Sequence, residues 1–119
     1  MPFKFEKLEI WKLSIAFAND VHLLTRKFPK EETFGLTSQF KRAADSVSLN
    51  ISEGSIGQTN PEQRKFLGYS IRSISECVNC LYLSSMRKYI TQDEFNSFYK
   101  RAEELFAKTN KFRNGLGDE

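Results

Sequence analysis

Three features of this chain have residue types and spacings that could do chemistry: Cys77-Val-Asn-Cys80, His22, and a polar row at Arg42, Ser46, Asn50 and Glu53. A C-x-x-C pair does redox work when its first cysteine sits at a helix N-terminus, where the dipole lowers the thiol pKa. Here both cysteines fall inside a helical pattern with no βαβ unit around them. A structural zinc site needs about four ligands, and His22 is the only histidine. Buried thiols are therefore expected at Cys77 and Cys80, and neither a metal nor a cofactor. His22 lies on an apolar row, where a packed or hydrogen-bonded histidine is expected before a catalyst. Asn50-Ile-Ser52 matches a glycosylation sequon, yet it sits mid-helix and is set aside. The sequence contains no Walker A loop, no G-x-G-x-x-G after a strand and no H-E-x-x-H. The expectation is a protein that is not an enzyme.

The polar row is the more informative feature. Arg42, Ser46, Asn50 and Glu53 recur at spacings of four, four and three, which is one face of a helix. Leu36, Phe40, Ala43, Ala44, Val47 and Ile51 run beside it, so the polar side chains must find partners within a bundle or at a subunit contact. Arg42, Asn50 and Glu53 admit a binding role. The preferred reading is a structural network that joins them to Ser73 and Glu76 of the next helix, or to a neighbouring subunit, because an arginine fork suits a carboxylate.

Four amphipathic segments must position these groups, at about 5–27, 37–55, 61–87 and 92–114. In the first, Leu8, Trp11, Ile15, Ala18, His22 and Thr25 form one row, with Ile10, Phe17, Val21, Leu24 and Phe28 beside it. Phe28-Pro29 ends it, since the residue before proline avoids the α region. Gly54 is expected to end the second helix in a left-handed conformation. Asn60 is read as the N-cap of the third, with Pro61 at its first position and Gln63 three beyond the cap. After a break near Lys88–Ile90, Thr91-x-x-Glu94 is a capping box for the fourth. Its core row is Phe95, Phe98, Ala102, Leu105, Thr109, Phe112 and Leu116, and the tail 115–119 is expected to fray.

Short connections between such helices make antiparallel neighbours, so the fold class is all-α, an antiparallel up-down-up-down four-helix bundle in one domain, 1–119. Phe17, Tyr69, Tyr82 and Tyr99 fall off the narrowest core stripes, which suggests self-association.

A chain of 119 residues, 39% hydrophobic and 28% charged, suits one globular domain. No apolar run is long enough for a bilayer and the N-terminus lacks a signal-peptide core, so a cytoplasmic location is expected. Eighteen Lys and Arg against fifteen Asp and Glu give +3, a mild basic excess compatible with a polyanionic partner.

The proposed topology brings the starts of the first and third helices to the ends of the second and fourth. Lys4, Lys7, Lys12, Arg64, Lys65, Lys108, Lys111 and Arg113 would crowd that end, with Glu6, Glu9, Glu53, Glu62 and the acidic tail among them. On the fourth helix Lys100, Arg101, Lys108 and Lys111 fall within roughly a 100° arc opposite the core row, interrupted by Glu104.

One order of residues adds to this. Trp11 is followed by Phe28-Pro29, Glu32, Phe34-Gly35-Leu36, Gln39, Arg42-Ala43-Ala44, Ser46, Asn50-Ile51, Glu53-Gly54, Ser73 and Glu76. This resembles the bacterial four-helix-bundle proteins of the 23S rRNA intervening-sequence type, the S23 family, over nearly the whole chain. The resemblance implies a homopentameric ring. It also implies a relation to accessory proteins of diversity-generating retroelements, which are thought to bind nucleic acid and a reverse transcriptase. Arg72 departs from the family pattern, which often has a small residue there. That places close helix packing or a subunit contact in question, and adds a cation.

The expected function is a non-enzymatic oligomeric protein binding RNA or DNA through Lys12, Arg64, Lys65, Lys100, Arg101, Lys108 and Lys111. Recognition would be mainly of phosphate, since no RRM, KH or zinc-finger motif is present. The alternative is a scaffold ring that holds a partner enzyme without touching nucleic acid.

Overall fold

The computed structural model describes residues 1–57 and 59–117. Asp118 and Glu119 of the expected frayed tail lie outside the described residues. Four helices, α1 (Glu9–Leu24), α2 (Leu36–Ser55), α3 (Asn60–Met86) and α4 (Gln92–Asn114), form an all-α bundle with no strand among the described residues. Each helix packs on its neighbours in sequence and α1 closes against α4, while the backbones of the diagonal pairs stay apart. The result is an up-down-up-down bundle measuring 46 × 22 × 22 Å.

The helix starts follow from local capping, in two places differently from expectation. The first helix begins at Glu9 and not near residue 5, because Lys4–Lys7 closes a separate 3₁₀ turn and Leu8 is extended at ψ 127°. Glu6 supports that turn by accepting the Phe3 N–H at 3.1 Å. After Leu24 the chain tightens into a second 3₁₀ turn, Thr25–Lys27, before Phe28-Pro29. At α3 the N-cap is Thr59 and not Asn60: its hydroxyl accepts the Glu62 N–H at 3.3 Å. Thr91 and Glu94 form the reciprocal capping box of α4 as expected.

Glu32 caps α2 from outside the helix. Its Oε1 accepts the Leu36 N–H at 3.0 Å and its Oε2 accepts the Tyr89 hydroxyl at 2.8 Å and an Arg87 N–H at 3.1 Å. One carboxylate thus joins the α1–α2 connection to the α3–α4 turn. Gly35 leaves room for it, since a Cβ there would sit 2.9 Å from Glu32 Oε1.

The α3–α4 turn is closed at Lys88, in the left-handed region at φ 63°. Lys88 N–H reaches the Ser85 carbonyl at 3.0 Å and Tyr89 N–H reaches Ser84 at 2.9 Å, the paired bonds of a Schellman ending.

Gly54 lies inside α2, not at a left-handed end, and no described glycine has positive φ. Its role is close approach: a Cβ at Gly54 would meet Phe66 Cβ of α3 at 2.8 Å. Small residues continue this seam between α2 and α3, where the buried Ser70 hydroxyl donates to the Val47 carbonyl at 2.8 Å. Phe40, Ala44, Val47 and Ile51 pack there with Leu67, Ile74 and Leu81.

Phe17 is also core and not surface, 1% exposed, whereas Ile15 of the expected core row is exposed. The buried stripe of α1 runs Ile10, Ser14, Phe17, Val21 and Leu24. On α4 the fully buried positions are Ala102, Leu105 and Thr109. The Thr109 hydroxyl has no hydrogen-bond partner among the described residues.

Candidate nucleic-acid interface

The cations of α4 divide according to what α1 places opposite them. Arg101 forms an ion pair with Asp20, Nη2 to Oδ2 at 2.9 Å, and its guanidinium lies 5.5 Å from the ring centres of both Phe17 and Phe98. Lys108 bonds Glu9 Oε2 at 2.8 Å and meets Glu104 at 3.2 Å. The hydrogen bond to Glu9 leads in pushing the Lys108 pKa up, followed by that to Glu104. Both side chains act within the bundle. Lys100 and Lys111, on the other edge of the expected arc, are exposed and form no ion pair among the described residues, as does Lys12 on α1.

A different grouping of cations emerges between the start of α3 and the end of α4. Arg113 donates its Nε hydrogen to the Arg64 carbonyl at 2.9 Å, and Arg64 Nη1 donates to the carbonyls of Leu116, at 3.3 Å, and Gly117. These partners are neutral, so they fix both guanidiniums in place without cancelling their charge. Arg64, Lys65, Arg72 and Arg113 line one cleft of about 490 Å³ with Gly68 and Tyr69, and no carboxylate lines it among the described residues. Gly68 opens the floor: a Cβ there would lie in ordinary contact, 3.7 Å from Arg113 Nη2. Tyr69 is 37% exposed and meets the Phe66 ring edge-on at 5.7 Å.

Arg64 and Lys65 are among the cations expected at the interface from the sequence, Arg113 is among those expected to crowd that end, and Arg72 enters there only as a departure from a family pattern. The spacing Arg64, Gly68, Arg72 at i, i+4 and i+8 was the available signal, because it sets two cations on one face with a gap between them.

The polar row does not close into a network within one chain. Arg42 and Ser46 share a cleft of about 600 Å³ with Glu76 and Cys80 between α2 and α3, without an ion pair. Asn50 donates back to the Ser46 carbonyl at 2.9 Å. Glu53 is exposed and Ser73 is buried on α3, and no hydrogen bond joins either to the row among the described residues. Among the described residues, no hydrogen bond or ion pair within the chain joins Arg42, Asn50 or Glu53 to Ser73 or Glu76. α2 and α3 pack through small residues and the Ser70–Val47 bond instead.

Cys77 and Cys80 are free thiols buried in the bundle. Burial pushes the Cys77 pKa far up, and Cys80 rises to about 11 for the same reason, with Glu76 adding to it. Both stay protonated at neutral pH. His22 Nε2 pairs with Asp45 Oδ1 at 2.9 Å on the α1–α2 surface. No three His, Cys, Asp or Glu side chains gather at metal-binding distance among the described residues.

A family model for the 23S rRNA-intervening sequence protein matches residues 6–111. The chain belongs to that family. A protein with unknown function of the S23 ribosomal protein family from Bacteroides thetaiotaomicron VPI-5482 shares its fold. That crystal structure superposes with a TM-score of 0.80 at 20% identity, over 87% of this chain and 97% of the other. No curated protein matches the chain. Within this family fold the four-cation cleft lies at the bundle end shared by the start of α3 and the end of α4. No helix among the described residues is long and apolar enough to cross a membrane.

Proposed function

We propose that this chain is a non-enzymatic, self-associating accessory protein of the cytoplasm that binds RNA or DNA through basic surface. The observation that carries the reading is the α3–α4 cleft, where Arg64, Lys65, Arg72 and Arg113 stand together without a carboxylate among the described residues. Four cations, two of them held by neutral carbonyls, form a local field that the whole-chain charge of +3 does not suggest. Phosphate contacts act collectively by releasing counterions, so a ring of subunits, pentameric as the family resemblance implies, would multiply the effect. Protonated thiols at Cys77 and Cys80 supply no nucleophile, which supports a binding role over a catalytic one.

The cleft moves the expected interface. Lys108 and Arg101 are engaged by Glu9 and Asp20, so the contacts are assigned first to the α3–α4 cleft, with Lys100, Lys111 and Lys12 as outlying cations. The test is fluorescence anisotropy of labelled RNA and DNA with the wild type and with Lys65→Gln/Arg72→Gln. The double variant is expected to bind at least tenfold more weakly at low salt. Equal binding by the two proteins would remove the cleft from the interface.

A second reading, a scaffold holding a partner such as a reverse transcriptase in the manner of retroelement accessory proteins, draws on the other end of the bundle. There Phe34 is 97% and Met86 80% exposed, beside the Glu32–Arg87 pair. An apolar contact of that kind would persist in high salt, unlike a phosphate contact.

A further inference from the structure

We propose that the α3–α4 cleft takes a single-stranded polynucleotide, with phosphates on Arg64, Arg72 and Arg113 and one unstacked base against the Tyr69 ring. This rests on the nucleic-acid reading above and adds which form of nucleic acid the cleft selects.

The cleft combines two recognition chemistries. Arg64 and Arg72 are eight residues apart on one helix face, about 12 Å along the axis, which leaves room for successive phosphates. Arg113 enters from α4 over Gly68, so cations flank the cleft from both helices. Planar guanidiniums suit phosphate oxygens, which they grip by two parallel N–H bonds.

Tyr69 supplies what a purely ionic patch lacks. It lines the same cleft, is partly exposed, and is supported edge-on by Phe66, with rings at 87° and centres 5.7 Å apart. Phe66 is itself seated against Gly54 of α2. An edge-on neighbour leaves at least one face of Tyr69 uncovered by it. Any base can stack on such a ring, but only if the base is free of its own stack, as in a single strand or loop. A duplex offers phosphates to the cations and hides its base faces. Selection for the single strand therefore falls on Tyr69, and total affinity falls mostly on the arginines.

The test uses fluorescein-labelled oligo(dT), oligo(U) and a blunt DNA duplex of equal length, titrated with the full-length protein at low salt. The single strands are expected to bind at least tenfold more tightly than the duplex. Tyr69→Ala is expected to lose roughly 5- to 100-fold on single strands, the range for one stacked base, and to leave duplex binding unchanged. Tyr69→Phe keeps the ring and should keep the affinity. Gly68→Asp places a carboxylate among the cations where a Cβ fits, and should weaken every probe while circular dichroism melting reports an intact fold. Duplex bound as tightly as single strand, or Tyr69→Ala without effect, overturns the inference and leaves the nucleic-acid reading in place. Absence of wild-type binding to all three probes overturns both.

Discussion

Arg113 Nε donates to the Arg64 carbonyl at 2.9 Å, so the end of α4 is fastened to the start of α3 by one cation resting on the backbone of another. Like charges are held side by side here by a neutral acceptor. An exposed carboxylate would hold them equally well and would cancel the field. Lys108 and Arg101, one and three turns earlier on α4, show that other arrangement with Glu9 and Asp20. The two styles of anchoring separate cations that stabilise the bundle from cations available to a ligand.

Two helix-interior glycines should respond oppositely to alanine. At Gly54 a Cβ would meet Phe66 Cβ at 2.8 Å, so Gly54→Ala must push α2 and α3 apart and is expected to cost about 1–3 kcal/mol. At Gly68 the same Cβ finds ordinary contact with Arg113, and Gly68→Ala should add about 0.5–1 kcal/mol through helix propensity. Urea unfolding of both variants checks the pair. Similar destabilisation by both would contradict the close-approach account of Gly54.

The Glu32 carboxylate should make the fold acid-sensitive. The Leu36 N–H leads in holding its pKa below the ordinary 4.5, followed by the Tyr89 hydroxyl and, behind them, Arg87. A group with a lowered folded pKa stabilises the protein above its unfolded value and loses that contribution as pH falls through the folded value. Glu94, lowered first by its bond to Lys27, acts in the same direction. Melting temperature should therefore hold from pH 7 to 5 and drop below about 4.5. Glu32→Gln should lower it at pH 7 and flatten the acid limb; an unchanged limb would place the acid sensitivity elsewhere.

Neither thiol should react readily in the folded protein. With Cys80 at about 11 and Cys77 higher still, the thiolate fraction at pH 8 is small, and both side chains are buried. Labelling with a thiol-specific disulfide reagent at pH 8 should be slow in buffer. In denaturant it should proceed quickly to two groups per chain. Fast native labelling of either cysteine would reopen a redox role.

What the sequence made legible divides along physical lines. Periodicity located four helices and their order because the apolar rows are long, and Thr91-x-x-Glu94 marked its boundary because both partners of that cap are local. Gly54 departs from expectation because a glycine that ends a helix and one that admits a neighbouring helix look alike in one dimension. The helix 1 boundary slipped because Leu8 belongs to the apolar row while its backbone is extended. The α3–α4 turn carries lysine where glycine is usual, so no composition signal announced its left-handed residue. At the candidate site, Arg64 and Lys65 were visible as charges. Which cations remain unpaired depended on Glu9 and Asp20, which α1 brings from about ninety residues away in sequence.

Salt dependence of binding tests the central claim most directly. Affinity of the full-length protein for single-stranded oligonucleotide should fall linearly as salt rises on logarithmic axes, with a slope near −0.7 for each phosphate neutralised. Removing Lys65 and Arg72 together should reduce that slope by about 1.4 in the same units. Light scattering on the same samples reports whether the binding species is larger than one chain. A steep slope that the double variant flattens is the predicted result; binding that is absent at low salt, or that ignores salt altogether, would contradict the account.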